Sequence, residues 1–286
     1  RRPIMPDSVG VIEVSFDPRN RPGAFDKEIS VITSEGGGVQ KLKICGFVEE
    51  RPRSVEERFP HFVGSGVRLE DNFHAFAYVG RGESVSEKIE WINTSEKDLS
   101  LKLVWREKSG LLNVEAPTLL KAGNCGDIKL EYKIPVGSDR YGTLEDVMSV
   151  VIGGKEARPL LSSHAIAIDK YDRDTEDISQ PVAQLSKNFI KFGDVKQGRS
   201  VEDASVELVN EGNSDLIIRA VEWQNDVLWC SLKTGDKVPA GQKITLKIKF
   251  NSSDCNFGVW VDRIRIITND KSRPMQSVRV TAVVID

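Results

Sequence analysis

The 286 residues hold 40 Lys and Arg against 43 Asp and Glu, a net charge of −3, with 39% apolar and 29% charged residues. That composition is too apolar for a disordered chain. Its interspersed signs leave neither a nucleic-acid footprint nor a polybasic membrane patch, and no apolar run is long enough to span a bilayer as a helix.

From the start of the chain, Val9–Thr33 reads VGVIEVSFDPRNRPGAFDKEISVIT. Ile12, Val14 and Phe16 alternate with Glu13 and Ser15, which predicts a strand with one buried and one wet face. A turn containing Gly23 follows, a second strand resumes its apolar face at Ile29, and Leu42–Ile44 predicts a third. Glu49–Phe59, charged and holding Pro52, reads as a linker.

The next stretch repeats this ending and adds a beginning. It opens with Phe73-x-x-Phe76, a Gly-containing turn and a strand ending at Asn93, then Asp98–Trp105. The closing pattern returns as Ile128, Leu130 and Tyr132 alternating with Lys129 and Glu131, a turn at Gly142, an apolar face from Met148, and His164–Ile168. Asp169–Pro181 is an acidic linker. The last stretch repeats the whole arrangement: Phe189-x-x-Phe192, a strand ending at Asn210, Asp215–Trp223, the alternation of Leu246, Ile248 and Phe250 with Lys247 and Lys249, Gly258, Ile264, and Val278–Val284.

About seven short strands in roughly 100 residues, with turn signals between them, is the pattern of an immunoglobulin-like sandwich. No segment sustains a helical apolar period, so helix should be scarce. The expectation is an all-β protein of tandem immunoglobulin-like antiparallel β-sandwich modules: 1–50, only a C-terminal half; 60–168; and 182–286. Matching Ile44 to Val280 places Cys45 opposite the core, at the position of Thr281.

Within the half-module, the Pro before the Gly-rich start, the F-D-P-x-x-R-P-G-x-F-x-K run at Phe16–Lys27 and the K-I-x-G-x-V ending at Lys43–Val48 resemble a bacterial domain-of-unknown-function family, fifteen seventy-three. The resemblance covers residues 3–50 most specifically. It implies repeated immunoglobulin-like modules, no enzymatic activity, and export to the periplasm or bacterial cell surface, with a lipid anchor as the alternative mode of retention. Such an export signal, and the strands that would complete the half-module, are expected upstream of Arg1. The family often carries a Cys-Gly-Cys segment, where this chain has Trp229-Cys230-Ser231 in the last module and no cysteine in the middle one.

The polar residues of the sequence bring together no catalytic constellation. His61 falls in a linker, His74 in a strand-opening turn and His164 in a closing strand, so no metal or catalytic triad is nominated. Gly64-Ser65-Gly66 reads as a loop, and Glu35–Val39 (EGGGV) as a hairpin turn without the spacing of a phosphate loop. Asp169, Asp172, Asp174 and Asp177 are a candidate calcium cluster outweighed by a solvated linker. No cofactor is expected. Cys45, Cys125, Cys230 and Cys255 lack metal-ligand spacing, and free thiols are the default, with Cys230–Cys255 the one pairing open within a module.

Aromatic residues supply the candidate binding surface. Trp105 and Trp223 read as core residues, whereas Trp229, Trp260 and Phe257 flank one turn region and could form an exposed tip for protein or sugar. The favoured reading is a non-catalytic exported array that binds protein partners or spaces them. Carbohydrate binding and accessory modules of a larger enzyme are the alternatives. The apolar face of the half-module (Ile12, Val14, Phe16, Ile29, Val31, Leu42, Ile44) would forfeit roughly 1.5–3 kcal/mol per exposed side chain. It should therefore be covered by an upstream segment, by the next module, or by a second copy of the chain.

Overall fold

The computed structural model describes residues 8–19, 21–32, 39–170 and 179–286. It divides into two compact units, 1–58 and 59–286, and it is nearly all β, with 58% strand and 2% helix.

In the first unit, β1 (Gly23–Ile32) and β2 (Val39–Val48) form an antiparallel two-stranded sheet. Asp26–Lys43 and Glu28–Lys41 ion pairs, at 2.6 and 2.7 Å, lace its outer face. Phe25 stacks on Phe16 with centroids 4.1 Å apart, and Gly46 leaves room for the Phe25 ring, which a Cβ there would strike. Residues 49–58 carry α1 (Val55–Arg58), started by a capping box in which the Glu57 amide donates to Ser54 Oγ and the Ser54 amide donates to the Glu57 carboxylate.

The strand expected over Val9–Phe16 does not form; residues 8–18 are irregular. In the two later copies the matching strands sit in the opposite sheet, each hydrogen-bonded on both sides. Among the described residues of the first unit no strand pairs with this alternating segment, so its backbone has no ladder to join there. Among the described residues of the unit no second layer buries the apolar face. Ile12, Val14 and Leu42 are exposed, and Phe16, Ile29, Val31 and Ile44 are half-buried. Cys45 is exposed, on the side away from that face.

The second unit contains two sandwiches. In the first, β3 (His61–Phe62), β4 (Val67–Leu69), β6 (Ser84–Asn93), β10 (Cys125–Lys133) and β8 (Leu112–Glu115) form one sheet in the order β3-β4-β6-β10-β8. The facing sheet runs β5-β13-β11-β7-β9, from β5 (Phe73–Gly80), β13 (Leu161–Ile168), β11 (Gly142–Ile152), β7 (Leu99–Glu107) and β9 (Leu119–Leu120), with β12 (Lys155–Glu156) paired to β11. The second sandwich repeats the plan. One sheet is β14-β16-β20-β18, from β14 (Ala183–Leu185), β16 (Ser200–Asn210), β20 (Lys243–Asn251) and β18 (Leu228–Cys230). The other is β15-β22-β21-β17-β19, from β15 (Phe189–Lys196), β22 (Met275–Ile285), β21 (Gly258–Thr268), β17 (Leu216–Glu222) and β19 (Lys237–Val238).

Two features depart from a purely antiparallel sandwich. β5 runs parallel to β13, and β15 runs parallel to β22. Each module's closing strand therefore ends beside its opening strand, which ties the two halves together.

The cores follow the two-residue period. Ile128, Leu130 and Tyr132 are fully buried in the first sandwich, and Leu246, Ile248 and Phe250 in the second. Phe250 meets Phe192 and Trp260, with centroids 6.0 and 4.7 Å away. The buried Tyr132 hydroxyl donates to Asp146 Oδ2 at 2.7 Å, with Ser163 O at 3.0 Å, and the same Asp146 carboxylate accepts the Ser109 amide and hydroxyl. Asn93 and Asn210 end their strands in the same way: each is buried, and each side-chain amide donates to one loop carbonyl (Lys97, Ser214) and one carbonyl of a short strand in the facing sheet (Leu120 of β9, Val238 of β19).

Candidate binding surfaces

The three aromatics singled out in the sequence do not share one tip. Trp229, on β18, is exposed, and Lys249 lies over its ring at 5.2 Å. Phe257, just before β21, is also exposed. Trp260 instead points between the sheets, half-buried against Phe250 and both core clusters of its module. Its even position on β21 shares the parity of buried Asp262, Ile264 and Ile266, so the pleat turns it inward. Trp105 and Trp223 likewise pack against their cores while keeping some exposure.

All four cysteines are free. Cys230 lies on β18, facing the main core, while Cys255 follows β20 in a smaller cluster, so the Cys230–Cys255 bridge is not made. Burial pushes both thiols above the ordinary cysteine range. Of the acidic linker, Asp172, Asp174 and Asp177 lie outside the described residues. Asp169 is engaged elsewhere, and no cluster of metal-ligating side chains occurs among the described residues.

Asp169 belongs to a polar joint between the two sandwiches. Its Oδ2 accepts Arg219 Nε of the second sandwich at 2.8 Å, and its Oδ1 accepts the Tyr141 hydroxyl at 2.7 Å. The Tyr141 oxygen accepts in turn from Arg81 at 2.6 Å. The guanidinium groups of Arg81 and Arg219 lie 5.3 and 5.2 Å from the Tyr141 ring, so the ring is held by two cation–π contacts. Burial, then the hydrogen bond to Asp169, pushes the Tyr141 phenol up.

A second clamp lies beside it. The Glu222 carboxylate accepts the Thr143 amide at 2.9 Å and the Thr143 hydroxyl at 2.7 Å. Gly142 permits this approach twice over: its φ of 88° suits glycine, and a Cβ there would strike the Glu222 carboxylate. The Arg219 and Asp169 side chains are only 28% and 18% exposed, so this pair is screened far less than a surface ion pair.

None of Arg81, Tyr141, Thr143, Arg219 or Glu222 stood out in the sequence as functional. The available signal was Tyr141 immediately before the strand that opens at Gly142, a turn whose counterparts in the other two copies have no tyrosine.

Fold and joint together define a protein of tandem immunoglobulin-like sandwiches, with two modules fixed to each other by side-chain chemistry. Residues 1–48 match the model of a family described as protein of unknown function (DUF1573), the family anticipated from the half-module. Residues 181–282 match the HYDIN/CFA65/VesB-like, Ig-like domain. Neither description is that of an enzyme. No curated protein matches the chain.

Among solved structures, a protein of unknown function from Porphyromonas gingivalis W83 is similar at 17% identity with a TM-score of 0.54, covering 77% of this chain and all of that one. This likeness is one of fold. The ASH / PapD-like domain 7 of human CEP192 aligns at 14% identity over 42% of this chain and all of its own, with a TM-score of 0.31. An endo-fucoidan hydrolase of glycoside hydrolase family 107 aligns at 12% identity and a TM-score of 0.28 over 93% of this chain, which spans 34% of that enzyme's length. No helix of the described residues is long and apolar enough to cross a membrane.

Proposed function

We propose that this chain is a non-catalytic, exported scaffold whose sandwich modules hold protein-binding surfaces at a fixed spacing. The observation that carries the reading is the joint. Domain contacts inside a chain normally permit relative motion, yet here Arg219, Asp169, Tyr141 and Arg81 form one connected chain of charge-assisted bonds, with the Glu222–Thr143 clamp beside it. Charge-assisted bonds are roughly twice as strong as neutral ones and fix orientation as well as distance. A spacer needs such a joint; an independent pair of binding domains does not. Export rests on the resemblance of residues 3–50 to a family encoded with secretion or lipoprotein signals.

The test is a distance distribution between spin labels at Lys102 and Lys247, both exposed, in a background with Cys45 and Cys125 replaced by serine. A narrow distribution that broadens in Arg219→Ala/Tyr141→Ala is expected. A broad distribution in the unsubstituted joint would contradict the scaffold reading.

A carbohydrate reading is favoured by one observation, the exposed rings of Trp229 and Phe257. It predicts glycan-array binding that disappears in Trp229→Ala.

A further inference from the structure

The three copies of the closing hairpin carry different charge patterns on their outward faces. In copy one, Glu28 stands opposite Lys43, and the diagonal ion pairs Glu28–Lys41 and Asp26–Lys43 neutralise the face. In copy two the same position is Val147 opposite Ser162, with Glu145 and His164 3.2 Å apart one step along. In copy three it is Arg263 directly opposite Arg279. Arg265, two residues along β21, joins them on the same face.

Like charges placed opposite one another across a sheet destabilise it. Among the described residues, none of these three guanidinium groups has an ion pair. Two carboxylates beside them in the sheet are already engaged: Asp262, buried, accepts the Asn225 amide, the Asn225 side chain and the Arg263 amide, and Glu222, opposite Arg265, accepts the Thr143 amide and hydroxyl. The arginines line a shallow cavity of about 320 Å³ together with Gln224, Val261 and the already engaged Asp262.

The apolar half of the same face is as unusual as the basic half. Val259 and Val261, on the outward side of β21, are 78% and 47% exposed. They stand opposite Val283 and Thr281. The hairpin thus presents an aliphatic end running into an arginine end, over about 20 Å from Val259 to Arg265 at ordinary strand rise.

We infer that the outward face of β21 and β22 is a docking site for an extended acidic peptide whose carboxylates meet Arg263, Arg265 and Arg279 while aliphatic side chains cover Val259 and Val261. Arginine suits this role because its planar fork binds carboxylates in a bidentate manner. A carboxylate-bearing partner removes the repulsion between Arg263 and Arg279. The aliphatic half favours a peptide over a sulfated polysaccharide, which has no side chain to bury there. This inference rests on the protein-binding reading above and names the chemistry of the partner.

Fluorescence anisotropy on the full chain tests it, with a labelled peptide whose run of glutamates is followed by alternating valine and serine. Saturable, salt-sensitive binding is expected. It should weaken about tenfold or more in Arg263→Glu/Arg279→Glu and largely survive in Arg263→Lys/Arg279→Lys. A glutamine-for-glutamate peptide should not bind. Circular dichroism on both variants establishes that the fold persists, as the exposure of the two side chains leads one to expect. The inference is overturned by absence of peptide binding, by binding indifferent to the charge reversal, or by dextran sulfate binding at these arginines where the peptide does not. Because the spin-label distances are read on the same protein, a failed docking site with a narrow distribution sinks only this inference, and a broad distribution sinks the scaffold.

Discussion

The closing hairpin of this chain occurs as β1–β2, as β11–β13 and as β21–β22, and the three differ less in sequence than in what surrounds them. β11 has β7 on its other side, and β13 has β5. β21 likewise has β17, and β22 has β15. Among the described residues β1 and β2 pair only with each other, and the alternating segment at Val9–Phe16 is irregular although Lys243–Asn251, of the same pattern, is a strand with a partner on each side. A period-two pattern specifies which face a strand would bury. Whether the strand forms depends on a neighbour to accept its hydrogen bonds and a layer to cover it.

The contrast breaks most sharply at equivalent aromatics. Phe250→Ala, at a fully buried site in contact with Phe192 and Trp260, should cost about 3–5 kcal/mol in urea denaturation of the second sandwich. Phe16→Ala, its counterpart in copy one, should cost only about 0.5–1.5 kcal/mol, the worth of its ring pair with Phe25. Equal losses would mean that copy one has a core of its own.

A second contrast lies at Tyr132, the same position in copy two. Its phenol is pushed up, first by burial and then by the hydrogen bond to Asp146. The folded state therefore keeps a proton that the unfolded chain releases as pH rises past about 10. The stabilisation is complete below that pH and is lost above it. Tyr132→Phe should cost about 1–3 kcal/mol at neutral pH by leaving Asp146 short of a donor. It should also reduce the fall in stability between pH 9 and 11, measured by denaturation midpoints; an unchanged alkaline slope would assign that slope to other groups. The smallest expected effect is at the exposed Asp26–Lys43 pair of copy one, where Lys43→Ala should change stability by no more than about 0.2–1 kcal/mol.

Much of the fold was legible because the pleat imposes its period directly on the residues: Leu246, Ile248 and Phe250 alternate with lysines in the sequence and are buried in the structure. The parallel pairing of β5 with β13 was not legible, since neither strand's side-chain alternation records which neighbour it takes. The sequence left Trp260 open as part of an exposed tip because it lies close to the turn; the parity of β21 turns it toward the core. The joint was invisible for a different reason. Arg219 lies 50 residues from Asp169, and Glu222 lies 79 from Thr143. No local pattern distinguishes an arginine that meets another module from one that meets water. The arginine face was readable only after register showed Arg263 and Arg279 to be opposite each other.

Hydrogen exchange on the intact chain tests the central claim most directly, by following the same motif in two surroundings at once. Amides of Lys243–Asn251 should exchange only through opening of the whole sandwich, while those of Val9–Phe16 exchange at nearly the rate of an unstructured chain. Comparable protection of the two segments would show that the alternating sequence forms a strand without its neighbours, and would contradict the account.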